Sequence, residues 1–224
     1  MRAYVFLLGT MLVGATVAYP AMAPVEQYRI ANSDEEIALA RSAAPESISA
    51  KAQVLVLGRH GYLTAVKGTN GFVCLVERSW AASFNDPQFW NPKLRGPACF
   101  NAAAVRTELP QLLKRTEWVL AGISNDRMKA QTRAAFVDHA FQSPAPGAFS
   151  FMLSKRGYVD PDNGGPWLPH VMFYVSSGQA KVWGAGLPGS PVVASINDDT
   201  LGSTILMIPV RRWSDGTPAP PPTP

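Results

Sequence analysis

The sequence predicts an α+β domain with a mainly antiparallel sheet, on three observations. Short apolar runs with strand character gather at two places, residues 53–78 and 149–210. Between them, Asn101 to Phe141 carries helical spacing. No internal repeat of fixed period interrupts this order of strands, helices and strands, which is the α+β pattern with the helices on one side of the sheet.

The chain opens with MRAYVFLLGTMLVGATVAYPAMA, in which Arg2 precedes an apolar run from Ala3 to Ala18. Pro20 and then Ala21-Met22-Ala23 supply a helix breaker and a small-x-small site, so residues 1–23 read as a cleavable signal peptide. The run is diluted by Tyr4, Gly9, Thr10, Gly14 and Thr16 and falls short of the roughly 20 apolar residues that a span requires. The expected product starts near Pro24, is exported to the periplasm or beyond, and has no membrane span.

Ser33-Asp-Glu-Glu36 spells a capping box, with Ser33 as N-cap, and Ile37, Ala40 and Ala44 continue at helical spacing until Pro45. This short helix is expected to pack on the outside. Three apolar runs follow, Val54 to Leu57, Tyr62 to Val66 and Phe72 to Val76. Asn70-Gly71 between the last two is a strong type I′ hairpin signal, which predicts an N-terminal three-stranded antiparallel meander. Both faces of the third run are apolar, so the sheet is expected to be covered on both sides. Ser79 to Phe100 reads as a long loop dense in aromatic residues and proline, packed down because so many rings need burial.

In the helical region, Asn101 caps Ala102 to Glu108, Pro110 suits a first turn, Gly122 ends that helix, and Ser124 caps the next. The second strand group comprises Phe149 to Leu153, His170 to Val175, Val192 to Ile196 and Thr204 to Val210. Pro209 cannot donate to a ladder and argues for an edge there. The domain is read as 24–213, followed by a disordered, Pro-rich tail at 214–224.

Composition bounds the function. In 224 residues, 47% are hydrophobic and 16% charged, and loss of Arg2 with the leader lowers the formal charge from +4 to +3. So small and dispersed an excess does not suit a nucleic-acid partner, which calls for a clustered basic face. In an oxidising compartment Cys74 and Cys99 are expected to form a disulfide that closes a loop of about 26 residues. Two buried free thiols, or a nucleophilic Cys74, are the alternatives left open.

The familiar catalytic motifs are missing: G-x-S-x-G, H-E-x-x-H, a Walker A loop, C-x-x-C and G-x-G-x-x-G after a strand. Asp160 to Gly165 resembles the start of a calcium loop but has Gly164 and Val171 where ligands belong, so it reads as a turn. His60, His139 and His170 are too scattered for a zinc set, and neither metal nor cofactor is expected. His170 is the histidine of interest. Strand alternation places His170, Met172 and Tyr174 on one face, and Ser150, Met152 and Ser154 share a face of the neighbouring run. If these faces coincide, His170 as general base with Ser150 or Ser154 forms a candidate catalytic cluster, or His170 and Tyr174 border a ligand pocket with Trp80 and Trp90.

The segments NGFVCLVER (70–78), GPACFN (96–101), FSFMLS (149–154), LPHVMFYV (168–175) and GSPVV (189–193) resemble a family of exported bacterial proteins of uncharacterised function. Its pattern runs NGF-x-CLV, P-x-C, YMLS and PHVMFY, with Phe151 here in place of the tyrosine. The resemblance covers residues 50–210. It implies export and one domain, and no activity. The expected function is a cell-envelope module that binds a small ligand or an envelope protein. The alternatives are a hydrolase with His170 as base and a nearby Ser or Cys as nucleophile, or a purely structural protein.

Overall fold

The computed structural model describes residues 21–160, 164–198 and 202–221, so all but the last three residues of the leader expected at 1–23 lie outside them. Its centre is an eight-stranded sheet. The strands are β1 (Gln53–Leu57), β2 (Tyr62–Val66), β3 (Val73–Glu77), β4 (Gly96–Phe100), β5 (Phe149–Met152), β6 (His170–Ser176), β7 (Val193–Asp198) and β8 (Ser203–Pro209). Their order across the sheet is β2-β1-β3-β4-β5-β6-β8-β7. Every neighbouring pair is antiparallel except β1 and β3, which run parallel. The α+β class with a mainly antiparallel sheet therefore holds.

The three-stranded meander does not. β2 and β3 lie on opposite sides of β1, and no hairpin joins them. Asn70 satisfies the turn locally, its side chain accepting from Phe72 N at 3.1 Å while its amide donates to Ile48 O at 2.8 Å. The connection passes round the start of β1, where Thr69 N donates to Lys51 O and Gln53 N to Phe72 O. Gly68 makes that path possible, because a Cβ there would lie 2.1 Å from Gln53 N. A turn signal in sequence specifies a bend, and here long-range pairing decided where the chain went next.

Two further expectations change. The aromatic loop ends early: Gly96–Phe100 is β4, completely buried, and every residue of β3 is paired with one of β4. Its Gly-Pro start and single cysteine hid a strand that alternation could not reveal. Pro209 ends an internal strand rather than an edge one, since β8 lies between β6 and β7. The β7 pairing extends only to Met207, so the missing donor of Pro209 costs no bond on that side.

Helices cover both faces, not one. α1 (Ser33–Arg41) packs Leu39 and Ala40 against Val54, Cys74, Val76 and Cys99, so it is part of the core rather than an outer decoration. Its N-cap is Asn32, whose side chain accepts from Asp34 N and Glu35 N, and Ser33 is the first helical residue. Glu36 is thereby freed from a capping box and is turned into the interior. A short helix, α2 (Glu46–Ser49), follows Pro45. On the other face α3 (Ala102–Thr107) and α4 (Leu109–Leu120) place Ala104 and Leu109 over Leu55, Val73, Leu75, Ala98 and Phe100. α5 (Asn125–Val137) contributes Met128 to a third cluster with Tyr28, Trp80, Phe84 and Phe89 beneath the aromatic loop. Asn101 and Ser124 cap α3 and α5, and Gly122 takes a positive φ after α4, as the sequence predicts.

Cys74 and Cys99 stand directly opposite each other on β3 and β4 and are bonded as a disulfide. The segment expected to be a disordered tail carries defined hydrogen bonds as far as Ala219, with Lys155 paired to Asp215 at 2.9 Å. Among the described residues, no helix is long and apolar enough to cross a membrane.

Candidate functional site

The face of the sheet that meets α4 does not close completely. Two periodicities converge there. Along α4 and the residue before it, Glu108, Gln111, Leu112 and Arg115 fall at i, i+3, i+4 and i+7, which is one helical stripe. Along the strands every second residue points the same way. Hence Glu77 from β3, His170, Met172 and Tyr174 from β6, and Ser203, Ile205 and Met207 from β8 face that stripe across a cavity of about 420 Å³. Residues 79–88 of the aromatic loop form a further wall.

Most of the lining is apolar, with methionines on three adjacent strands: Met152, Met172 and Met207. Against it stand a few polar groups. Glu108 is 8% exposed, and Ser203 Oγ donates to its Oε2 at a long 3.5 Å. Its Oε1 is buried without a hydrogen-bond partner. Ser79, 2% exposed, likewise has an unpartnered hydroxyl. Burial pushes the Glu108 carboxyl up to about 7, with the nearby Thr107 and Ser203 hydroxyls opposing the rise. Half-buried Glu77 is also raised to about 7 by desolvation, with Arg115 opposing.

The guanidiniums in the wall are engaged. Arg78 donates to Tyr28 O at 2.6 Å, to Val76 O, and to Glu36 at 2.8 Å. Arg115 donates to Trp80 O and Ala82 O at 2.9 and 2.8 Å, and lies 4.2 Å over the Phe84 ring.

Of the residues singled out in the sequence, His170 and Tyr174 line the cavity and share a face, as their alternation predicts. Ser150 lies behind Tyr174 and does not line the cavity, its hydroxyl 2.9 Å from the Tyr174 hydroxyl. Tyr174 is raised well above its ordinary value by burial and by the Glu77 carboxylate, with Ser150 opposing and Glu108 adding to the rise. His170 lies opposite Met152 in the ladder. Its Nδ1 meets Leu168 O at 2.7 Å, its ring packs edge-on to Trp167, and desolvation pulls its pKa down while that carbonyl opposes. Ser154 turns to Ser42, hydroxyl to hydroxyl at 2.6 Å. Cys74 is in the disulfide, on the opposite face of the sheet. Trp80 is sealed in the third cluster, its indole donating to Thr116 at 2.9 Å, and Trp90 packs edge-on against Phe89. Neither tryptophan lines the cavity, although their loop does.

Sequence reasoning missed Glu77, Glu108 and Arg115. The signal for two of them was present: a Glu, Gln and Arg on the same stripe as Leu112 is unusual for a helix face turned to a sheet. Among the described residues, no group of three His, Cys, Asp or Glu side chains converges as a metal site.

Fold and site together define an α+β protein with an apolar chamber under its sheet and three carboxyl groups in the chamber wall. Comparison with protein-family models, curated proteins and solved structures returns no significant match.

Proposed function

We propose that the protein is an exported binding module whose cavity receives one small, largely apolar molecule with a polar head. A single observation carries this reading. The space between α4 and the sheet is of ligand size and ends at Glu108, whose Oε1 is buried and has no partner in the protein. An unpaired buried polar atom costs about 1–3 kcal/mol, and a bound donor would offset that cost. The export half of the proposal is supported by the leader-like start of the chain and by the disulfide, which persists in oxidising compartments. The motif resemblance to exported bacterial proteins points the same way.

A hydrolase centred on His170 has less support. Its Nδ1 is occupied by Leu168 O, and the hydroxyls of Ser150 and Ser154 are each bonded to another hydroxyl. Cys74 has no thiolate to offer while bridged. The purely structural reading leaves the chamber and its two unpartnered polar atoms without a purpose.

Filling the chamber tests the proposal. Thermal-shift screening of small amphiphiles should identify compounds that stabilise the wild-type protein and leave Met172→Trp unmoved. Equal stabilisation of both, or none of either across the screen, would overturn it.

A further inference from the structure

We propose that the head group of the ligand is a primary ammonium, received by Glu108 Oε1 with Glu77 as a second carboxylate, and that its apolar body lies against Met152, Met172 and Met207. The inference rests on the binding reading above and names the ligand's chemical class.

Glu108 Oε1 and Ser79 Oγ are buried without partners, and both residues line the cavity. Once its carboxyl is ionised, Glu108 is an acceptor and no longer a donor. His170, its pKa lowered by burial, donates from Nδ1 to Leu168 O and in its neutral form keeps its other ring nitrogen as an acceptor. The wall's strong donors are already committed: Arg78 to two carbonyls and Glu36, Arg115 to two carbonyls and the Phe84 face. Apart from the Ser79 hydroxyl, which can donate as well as accept, such a chamber offers acceptors and asks for donors.

Charge points the same way. The titratable and charged groups facing the space are Glu77, Arg78, Asp86, Glu108, Arg115, His170 and Tyr174. Above about pH 7, with Glu77 and Glu108 ionised and His170 and Tyr174 neutral, three carboxylates face two guanidiniums, and Arg78 is matched outside the wall by Glu36. An anionic head would meet this excess of carboxylates. An alcohol would satisfy one acceptor and leave the charge uncompensated. A primary ammonium brings three N–H donors and one positive charge. A quaternary ammonium has no N–H to give Glu108, and so fits less well.

The carboxyl groups then couple binding to protons. In the empty chamber Glu77 and Glu108 hold protons up to about pH 7. An ammonium ligand ionises them, so its binding releases protons below that pH and tightens as pH rises.

A matched series with one tail and three heads separates the outcomes: n-octylamine, n-octanol and n-octanoate, titrated by calorimetry into the full wild-type protein. Octylamine should bind at least tenfold more tightly than the other two at pH 8. Its affinity should weaken about tenfold or more between pH 8 and pH 6, and Glu108→Gln should cost octylamine about tenfold while sparing octanol. If octanol or octanoate binds as well as octylamine, the ammonium assignment falls and the apolar chamber stands as a ligand site. If none of the three binds, the binding reading falls with it. The head-group series needs no variant, so poor folding of Glu108→Gln cannot mask the result. An unchanged octylamine affinity in a folded Glu108→Gln would remove Glu108 from the site.

Discussion

Arg78 and Glu36 meet at 2.8 Å with almost no contact with solvent, and the same Glu36 oxygen accepts from Leu57 N at 3.1 Å. One carboxylate thus ties α1 to the end of β1 and to the residue just past β3. A buried charge is tolerated only when paired and hydrogen-bonded. Both conditions are met, since the other Arg78 nitrogens reach the carbonyls of Tyr28 and Val76. Replacing Glu36 by Gln leaves the guanidinium buried without its counter-charge. Chemical denaturation should show a loss on the order of 3 kcal/mol. A loss below 0.5 kcal/mol would mean that the pair contributes little.

Gly68 carries the unusual path between β2 and β3. A methyl group there would meet the backbone of Ala52 and Gln53, at 2.1 Å in the closest case, and backbone cannot swing aside as a side-chain tip can. Gly68→Ala should cost about 2 kcal/mol, in the range of overpacked positions. Gly165→Ala is the control: a Cβ there meets nothing within 4 Å, and the residue has no positive φ. Paired melting curves decide the matter. Equal stability of the two variants would show that the connection is not held against β1.

Stability should depend on pH in a direction set by the chamber. The Glu108 carboxyl titrates near 7 in the folded protein and near its ordinary 4.5 when unfolded. The folded state therefore binds the extra proton between these values. Its advantage is complete below pH 4.5 and is lost as pH rises through 7. Glu77 acts in the same sense. His170 opposes them: its folded pKa lies below the ordinary 6.5, so its contribution is present above 6.5 and fades as pH falls through the lower value. Two carboxyl groups outweigh one imidazole. The melting temperature of the ligand-free protein should drop by about 3 °C or more from pH 5 to pH 7, and Glu108→Gln should cut the slope by half or more. A melting temperature that rises over this interval would contradict the burial of both carboxyl groups.

How far the sequence could be read is clear from individual residues. Seven of the eight strands carried apolar runs of the right length, and the caps Asn101 and Ser124 announced their helices. Alternation placed His170, Met172 and Tyr174 on one face and Ser150 on the matching face of its neighbour, and the 2.9 Å contact between Ser150 and Tyr174 is the result. Pairing was harder. Asn70-Gly71 encodes a bend equally well for a hairpin and for a crossover, and the choice lay with Gly68 and with β1, some 15 residues back along the chain. The site was harder still. Glu77 ends an apolar strand and Glu108 ends a short helix, both ordinary surface positions in one dimension. Only the packing of α4 across the sheet brings these carboxyl groups into a common space.

The bridge between β3 and β4 has a consequence for the order of assembly. Both sulfurs belong to the first 99 residues, and the pairs they join are complete without any later strand. The first-made half, with α1 already laid over β1, β3 and β4, can be locked covalently while β5 to β8 are still to come. What it presents meanwhile is the free side of β4, where Cys99 and Phe100 await Phe151 and Ser150. The chamber forms only when that seam closes, because its walls come from both halves. A chain interrupted before β5 would thus be braced and oxidised, yet unable to hold a ligand.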